Sequence, residues 1–208
     1  MKVKELLLGV MALMLVSSVC SARSHDDDDD FHDHSRDSSA DSGLGLVVAG
    51  GVEEGGDQLG PILLADGSSL YMHLGDGVNF NVGGHYKFAS PHLDVMATIG
   101  YKYGTTRTKI TNANVYVSRV VAQLLASYSF TDSWWAGAGP VWHLNNSYRA
   151  DKNVTGLSNI DFDKSLGVTV QGGWRFIAFT YTNMKYADKI TKVKYGANSL
   201  GLELIGRF

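Results

Sequence analysis

Leu93-Asp94-Val95-Met96-Ala97-Thr98-Ile99-Gly100-Tyr101-Lys102-Tyr103 decides the fold of this chain. In steps of two, Leu93, Val95, Ala97, Ile99, Tyr101 and Tyr103 make one face; Asp94, Met96, Thr98, Gly100 and Lys102 make the other. A period of two with one apolar face is the pattern of a β-strand. It recurs upstream, where Val78, Phe80, Val82, Gly84, Tyr86 and Phe88 stand against Asn79, Asn81, Gly83, His85 and Lys87. Downstream, Val120, Ala122, Leu124, Ala126, Tyr128 and Phe130 oppose Arg119, Gln123, Ser127 and Ser129, with Val121 and Leu125 as exceptions. Leu166, Val168, Val170, Gly172, Trp174 and Phe176 oppose Gly167, Thr169, Gln171, Gly173 and Arg175. The chain ends on Leu200, Leu202, Leu204, Gly206 and Phe208 against Gly201, Glu203, Ile205 and Arg207.

The contents of the two faces select the β architecture. A soluble sandwich buries its apolar faces and wets its polar ones. Here the polar faces carry Gly, Asn, Gln, Thr and isolated charges of both signs, and the apolar faces end in aromatics. That is the outward-apolar, inward-polar order of a membrane barrel with aromatic girdles, and only a closed barrel leaves no unpaired edge in lipid. Turn signals place eight strands near 44–53, 76–88, 92–104, 115–130, 134–148, 161–176, 177–187 and 197–208. The connections at Ala89-Ser90-Pro91, Thr131-Asp132-Ser133 and Phe176-Ile177 are tight, while 54–75, 105–114, 149–160 and 188–196 are longer and polar. The first of these long connections has a candidate turn at Asp66-Gly67. The expectation is an all-β, eight-stranded antiparallel up-and-down transmembrane barrel over residues 44–208, with both termini on the short-turn, periplasmic side.

Composition separates two appendages from this domain. The chain has 208 residues and a formal net charge of −3, yet residues 44–208 hold 14 Lys and Arg against 12 Asp and Glu. No basic footprint for nucleic acid results. Residues 1–22 pair Lys2 and Lys4 with an apolar run and close on Ser21 and Ala22, the order of a secretory signal peptide. Cleavage after Ala22 removes the single cysteine, Cys20; the alternative is a lipoprotein acylated at Cys20. Residues 23–43 hold eight Asp and three His and too little apolar surface to offset the entropy of ordering, which predicts a disordered acidic periplasmic tail. His25, His32 and His34 among those carboxylates are residue types that bind divalent metal loosely, but without a rigid scaffold the segment reads first as a solvated tether. No cofactor is expected.

An eight-stranded barrel is only wide enough inside for side chains or one small ligand. The inward faces assign Asp94, Lys102, Arg119, Arg175, Glu203 and Arg207 to a lumenal ionic network, because unpaired charge there is expensive. The network reads as a polar plug that specifies closure and register; its alternative is a narrow pathway. Trp134, Trp142 and Trp174 fall on the lipid parity, Trp135 points inward, and Pro140 in mid-strand makes a local bulge plausible.

The signal segment, the eight alternating strands and the final aromatic residue resemble the small outer-membrane barrel superfamily of Gram-negative bacteria, whose members include the OmpA membrane domain, OmpX and OmpW. Leu204, Gly206 and Phe208 resemble the terminal signature that the barrel-assembly machinery reads, and Ile99 to Gly104 looks like a strand common among proteobacterial barrels. The resemblance implies outer-membrane lipid, lipopolysaccharide and the assembly machinery as partners, and a structural or surface-interaction role. Its OmpW branch implies the alternative of a narrow channel for small or hydrophobic solutes. Some barrels of this shape are lipid A-modifying enzymes that place His and Ser two residues apart. Here His143 is followed by Asn145, so the nucleophile is missing and no catalytic residue is expected. Loop cations such as Arg149, Lys152, Lys189, Lys192 and Lys194 suit the phosphates of lipopolysaccharide.

Overall fold

The computed structural model describes residues 42–63, 69–90, 92–107, 114–150 and 159–208. Within them the alternating segments form β1 (Gly43–Glu54), β2 (Gln58–Leu63), β3 (Ser69–His73), β4 (Gly77–Lys87), β5 (Leu93–Arg107), β6 (Asn114–Ser129) and β7 (Trp134–Ala150). They continue as β8 (Ile160–Asp161), β9 (Ser165–Trp174), β10 (Ile177–Asn183), β11 (Lys185–Ala187), β12 (Lys194–Gly196) and β13 (Ser199–Arg207). The eight long strands are antiparallel neighbours in the order β6-β5-β4-β1-β13-β10-β9-β7, and β7 pairs back onto β6. The sheet is therefore a closed, eight-stranded, up-and-down barrel, and no edge strand of the wall is left unpaired. The seam joins the first strand to the last. Val47 stands opposite Arg207, and Leu46 and Phe208 exchange backbone hydrogen bonds of 2.8 and 2.9 Å.

Tight turns close one end. Thr131 Oγ1 accepts from the N–H groups of Ser133 and Trp134, at 3.3 and 3.0 Å, a side-chain turn that reverses the chain between β6 and β7. Between β9 and β10 only Arg175 and Phe176 intervene, since Trp174 pairs directly with Ile177. At the other end the connections are long and partly built from strands. β2 and β3 pair as a hairpin with a bulge between Leu59 and Ile62, where Pro61 has no N–H for the ladder. The proposed turn at Asp66-Gly67 lies outside the described residues. The strand expected over 177–187 is broken at Met184, whose N–H bonds Asn198 Oδ1 at 2.9 Å as the chain passes from the wall into the β11–β12 hairpin. Similarly, the strand expected over 161–176 resolves into β8 and β9.

One bulge re-phases the wall. Ser118 pairs with Ser147 but Val120 pairs with Leu144, so Asn145 and Asn146 together oppose Arg119. Asn145 sits in the left-handed region at φ 52°, which Asn tolerates better than most residues. Beyond the bulge Asn146 and Tyr148 point inward along with His143. Pro140 keeps a regular register with Val168, so the irregularity expected at Pro140 occurs five residues later. Trp135 turns inward over its cross-strand partner Gly173, where an added Cβ would lie 2.6 Å from the indole.

Candidate functional site

Inward positions of all eight wall strands meet in the lumen, which is layered. At the turn end Val47, Ala49, Met96, Leu125, Trp135, Ala178 and Ile205 pack as an apolar cluster. At the loop end a larger one joins Leu59, Met72 and Leu74 of the first long connection to Val115, Val117, Val121, Val141, Tyr148, Phe162, Met184, Tyr186 and Ala197. Between them lies a polar belt. The lumen thus mixes polar and apolar side chains along its length, because Met96, Val121, Leu125, Val141 and Ile205 share the inward parity with the polar residues.

In the belt, Lys102 Nζ is 2.8 Å from Glu53 Oε2, and both side chains are buried. Asn79 Nδ2 donates to Glu53 Oε1 and to Glu203 Oε1, each at 2.8 Å, bridging the two carboxylates. Gln171 Nε2 donates to Glu203 Oε2 at 2.8 Å, and the Ser199 hydroxyl donates to Glu53. Arg119 Nη2 donates to the carbonyls of Gly75 and Asp76 at 3.2 and 3.0 Å, fastening the β3–β4 turn over the lumen. Nearer the turn end, Asp94 Oδ2 lies 3.2 Å from His85 Nδ1 and 3.5 Å from Arg207 Nη1, and the Arg207 guanidinium sits 4.5 Å above the Trp135 ring.

The structure thus places Asp94 and Arg207 in one cluster, and Lys102, Arg119 and Glu203 in the belt. Arg175 belongs to neither. β9 ends at Trp174, and the two-residue turn holds Arg175 at φ 52° with its side chain exposed, 5.0 Å over the Trp174 ring. Inward parity counted along the strand does not survive the turn. Glu53 is the lumenal charge that alternation overlooked. Its neighbours Val47, Ala49 and Gly51 are as apolar or small as the outward residues, so β1 shows no polar face; only pairing it against Glu203's strand reveals the parity. Leu204, Gly206 and Phe208 share the outward side of the last strand, with Phe208 exposed. His25, His32 and His34, with the signal segment, Cys20 and Lys152, lie outside the described residues.

Acyl transfer would need a nucleophile at a histidine. His143 is buried and its Nδ1 is 2.5 Å from the Tyr186 hydroxyl, while Ser165, its cross-strand neighbour, donates to the Asp163 carbonyl at 3.1 Å. His85 meets Asp94. Among the described residues no Ser or Thr hydroxyl bonds either ring.

Outside, the polarity is reversed. Phe179 is 72% exposed, Leu200 67% and Leu166 63%, with Val168 and Val170 exposed on the same part of the wall and Ile99 exposed on β5. Aromatics edge this surface at the turn end through the pairs Tyr86–Phe88 and Tyr128–Phe130 with Trp134, and at the loop end through Tyr103–Tyr116 with Tyr181. The wall is thus a closed eight-stranded antiparallel barrel, apolar outside and hydrogen-bonded within, the pattern that a barrel solvated by lipid would show.

No family model matches the chain, and no curated protein matches it. Among solved structures it is similar to Ail, the attachment invasion locus protein of Yersinia pestis, determined in complex with the heparin analogue sucrose octasulfate. The sequence identity is 10%, the TM-score 0.38, and the match covers 79% of this chain and 99% of that one.

Proposed function

We propose that the chain is an integral bacterial outer-membrane protein with a structural or surface-interaction role, a plugged lumen and no catalysis. Its termini and tight turns lie on the periplasmic side and its long connections outside. The observation that carries this reading is the continuous apolar exterior between two aromatic edges, which in water would be an aggregation liability and in lipid is the solvated surface. Two apolar clusters with a hydrogen-bonded belt between them support a plug over a pore. The engagement of His143 by Tyr186 and of His85 by Asp94 supports a non-catalytic role. Partners follow from the same chemistry. Lys185, Lys189 and Lys194 are exposed at the loop end beyond Tyr181, where lipopolysaccharide presents phosphates, and Phe208 stands free on the closing strand for the assembly machinery.

The test is single-channel recording of the refolded barrel in a planar bilayer, with folding verified by heat-modifiable gel migration. A silent bilayer is expected. Discrete steps that change in Glu203→Gln would replace the plug by the narrow channel for small solutes.

A further inference from the structure

We infer that Lys164, Lys185 and Lys194 together bind a phosphate group of an outer-leaflet glycolipid whose acyl chains lie on the wall below them. The inference rests on the envelope reading above and narrows its lipid contact to one place on the barrel. In the β11–β12 hairpin Lys185 pairs with Gly196 and Lys194 with Ala187. The two lysines therefore stand diagonally on one face, their Cβ atoms about 7–8 Å apart. The other face carries Tyr186 and Tyr195, whose rings pack on Phe162 in the loop-end cluster, so the lysine face looks away from the lumen. The Asp163 N–H donates to the Ala187 carbonyl at 2.8 Å, which sets Lys164 along the edge of β11, exposed like the other two. Ala187 and Gly196 are the small residues beside these lysines, and they leave room for a headgroup.

Among the described residues none of the three lysines forms an ion pair, and the nearby acids are engaged. Asp163 Oδ2 lies 3.1 Å from Lys192 Nζ, and Asp57 Oδ2 accepts the Gly196 N–H at 2.6 Å. Exposed lysines are at ease in water, so it is their placement that identifies the ligand. Leu166 follows Lys164 by two residues, about 7 Å further along the wall, and Tyr181 and Leu200 are exposed on the neighbouring strands. An amphiphile whose chains cover Leu166, Tyr181 and Leu200 carries its headgroup to the height of the lysines. A soluble anion would meet the same ammonium groups without that apolar contact. The basic surface is local, since Glu54 stands opposite Leu200 on the far side of β13. Ammonium groups bond phosphate oxygens with charge assistance, and each lysine near an anionic membrane surface contributes about fivefold in affinity, three of them about a hundredfold.

The full refolded chain in detergent is titrated with purified bisphosphorylated lipid A, with the same lipid dephosphorylated, and with inorganic phosphate, bound molecules being counted by native mass spectrometry. The phosphorylated lipid should be held about a hundredfold more tightly than the dephosphorylated one. Lys164→Gln/Lys185→Gln/Lys194→Gln should bring the two lipids close to parity. Neutralising three exposed cations elsewhere, in Lys87→Gln/Arg175→Gln/Lys189→Gln, should leave the preference in place. Folding of each variant is verified by heat-modifiable gel migration; if the first does not refold, Lys185→Gln alone is compared with Lys189→Gln. Equal retention of the two lipids, a preference that survives the first variant, or an equal loss in the second would each overturn the inference. So would inorganic phosphate bound as tightly as the lipid, which would make this a site for a soluble anion. Retention of both lipids alike strikes this site only, whereas retention of neither would strike the envelope reading with it.

Discussion

Lys102 and Glu53 have exchanged water for one another and for two neutral donors, and burial costs each ion several kcal/mol that only the pair can offset. Removing one partner leaves the other charge in the lumen. Lys102→Met is therefore expected to destabilise the refolded barrel by about 3–5 kcal/mol in urea unfolding. The double variant Glu53→Gln/Lys102→Met should recover most of that loss. Effects that simply add to within about 0.5 kcal/mol would mean that the two side chains do not interact. Arg175 gives the opposite expectation. A left-handed non-glycine residue carries strain of about 1 kcal/mol, against an exposed contact with Trp174 that contributes less. Arg175→Gly should leave stability unchanged or raise it by up to about 1 kcal/mol, and a loss of several kcal/mol would return Arg175 to the ionic network. At this scale the sequence is least legible. Five of the six expected lumenal charges lie inside, but the turn that expels Arg175 and the parity of Glu53 depend on strand pairing, which a single strand does not display.

At the scale of elements, alternation located five of the eight wall strands and turn signals placed the other three, because most wall strands have one apolar outward face and one mixed inward face. It failed where a segment is not part of the wall. The hairpins β2–β3 and β11–β12 pair with themselves, and both feed apolar residues into the loop-end cluster, so their patterns answer to a local core. The turn of β11–β12 is held by Asp188, whose Oδ1 accepts from the N–H groups of Ile190 and Thr191 at 2.7 and 3.1 Å. These two bonds hold its carboxyl below the usual carboxylate range. A depressed folded-state value contributes stability that is present at neutral pH and lost as the pH falls through that value. Hydrogen exchange should therefore show the Ile190 and Thr191 amides protected at neutral pH, less so in acid, and unprotected in Asp188→Ala at either pH. Equal protection in the variant and the unmodified protein would remove Asp188 from the account.

At the scale of the molecule, the strands that build the wall separate an apolar exterior from a packed, partly polar interior. Outward Leu166, Val168 and Val170 alternate along β9 with inward Thr169 and Gln171, and the same reading holds around the barrel. The exterior was legible from sequence because apolar residues recur at the outward positions of strand after strand. The lumen was legible only in part, since a filled interior accepts Met96, Leu125 and Ile205 as readily as Asn79 or Gln171. The central claim is that this exterior faces lipid. It is tested most directly by spin labels placed singly, in a cysteine-free background, at 166, 168, 169, 170 and 171 of the barrel refolded in lipid vesicles. Labels at 166, 168 and 170 should be relaxed by lipid-soluble oxygen and shielded from a water-soluble nickel chelate, with 169 and 171 shielded from both. Strong relaxation by the chelate at 168 and 170 would mean that the apolar face meets water or another protein, and would contradict the account.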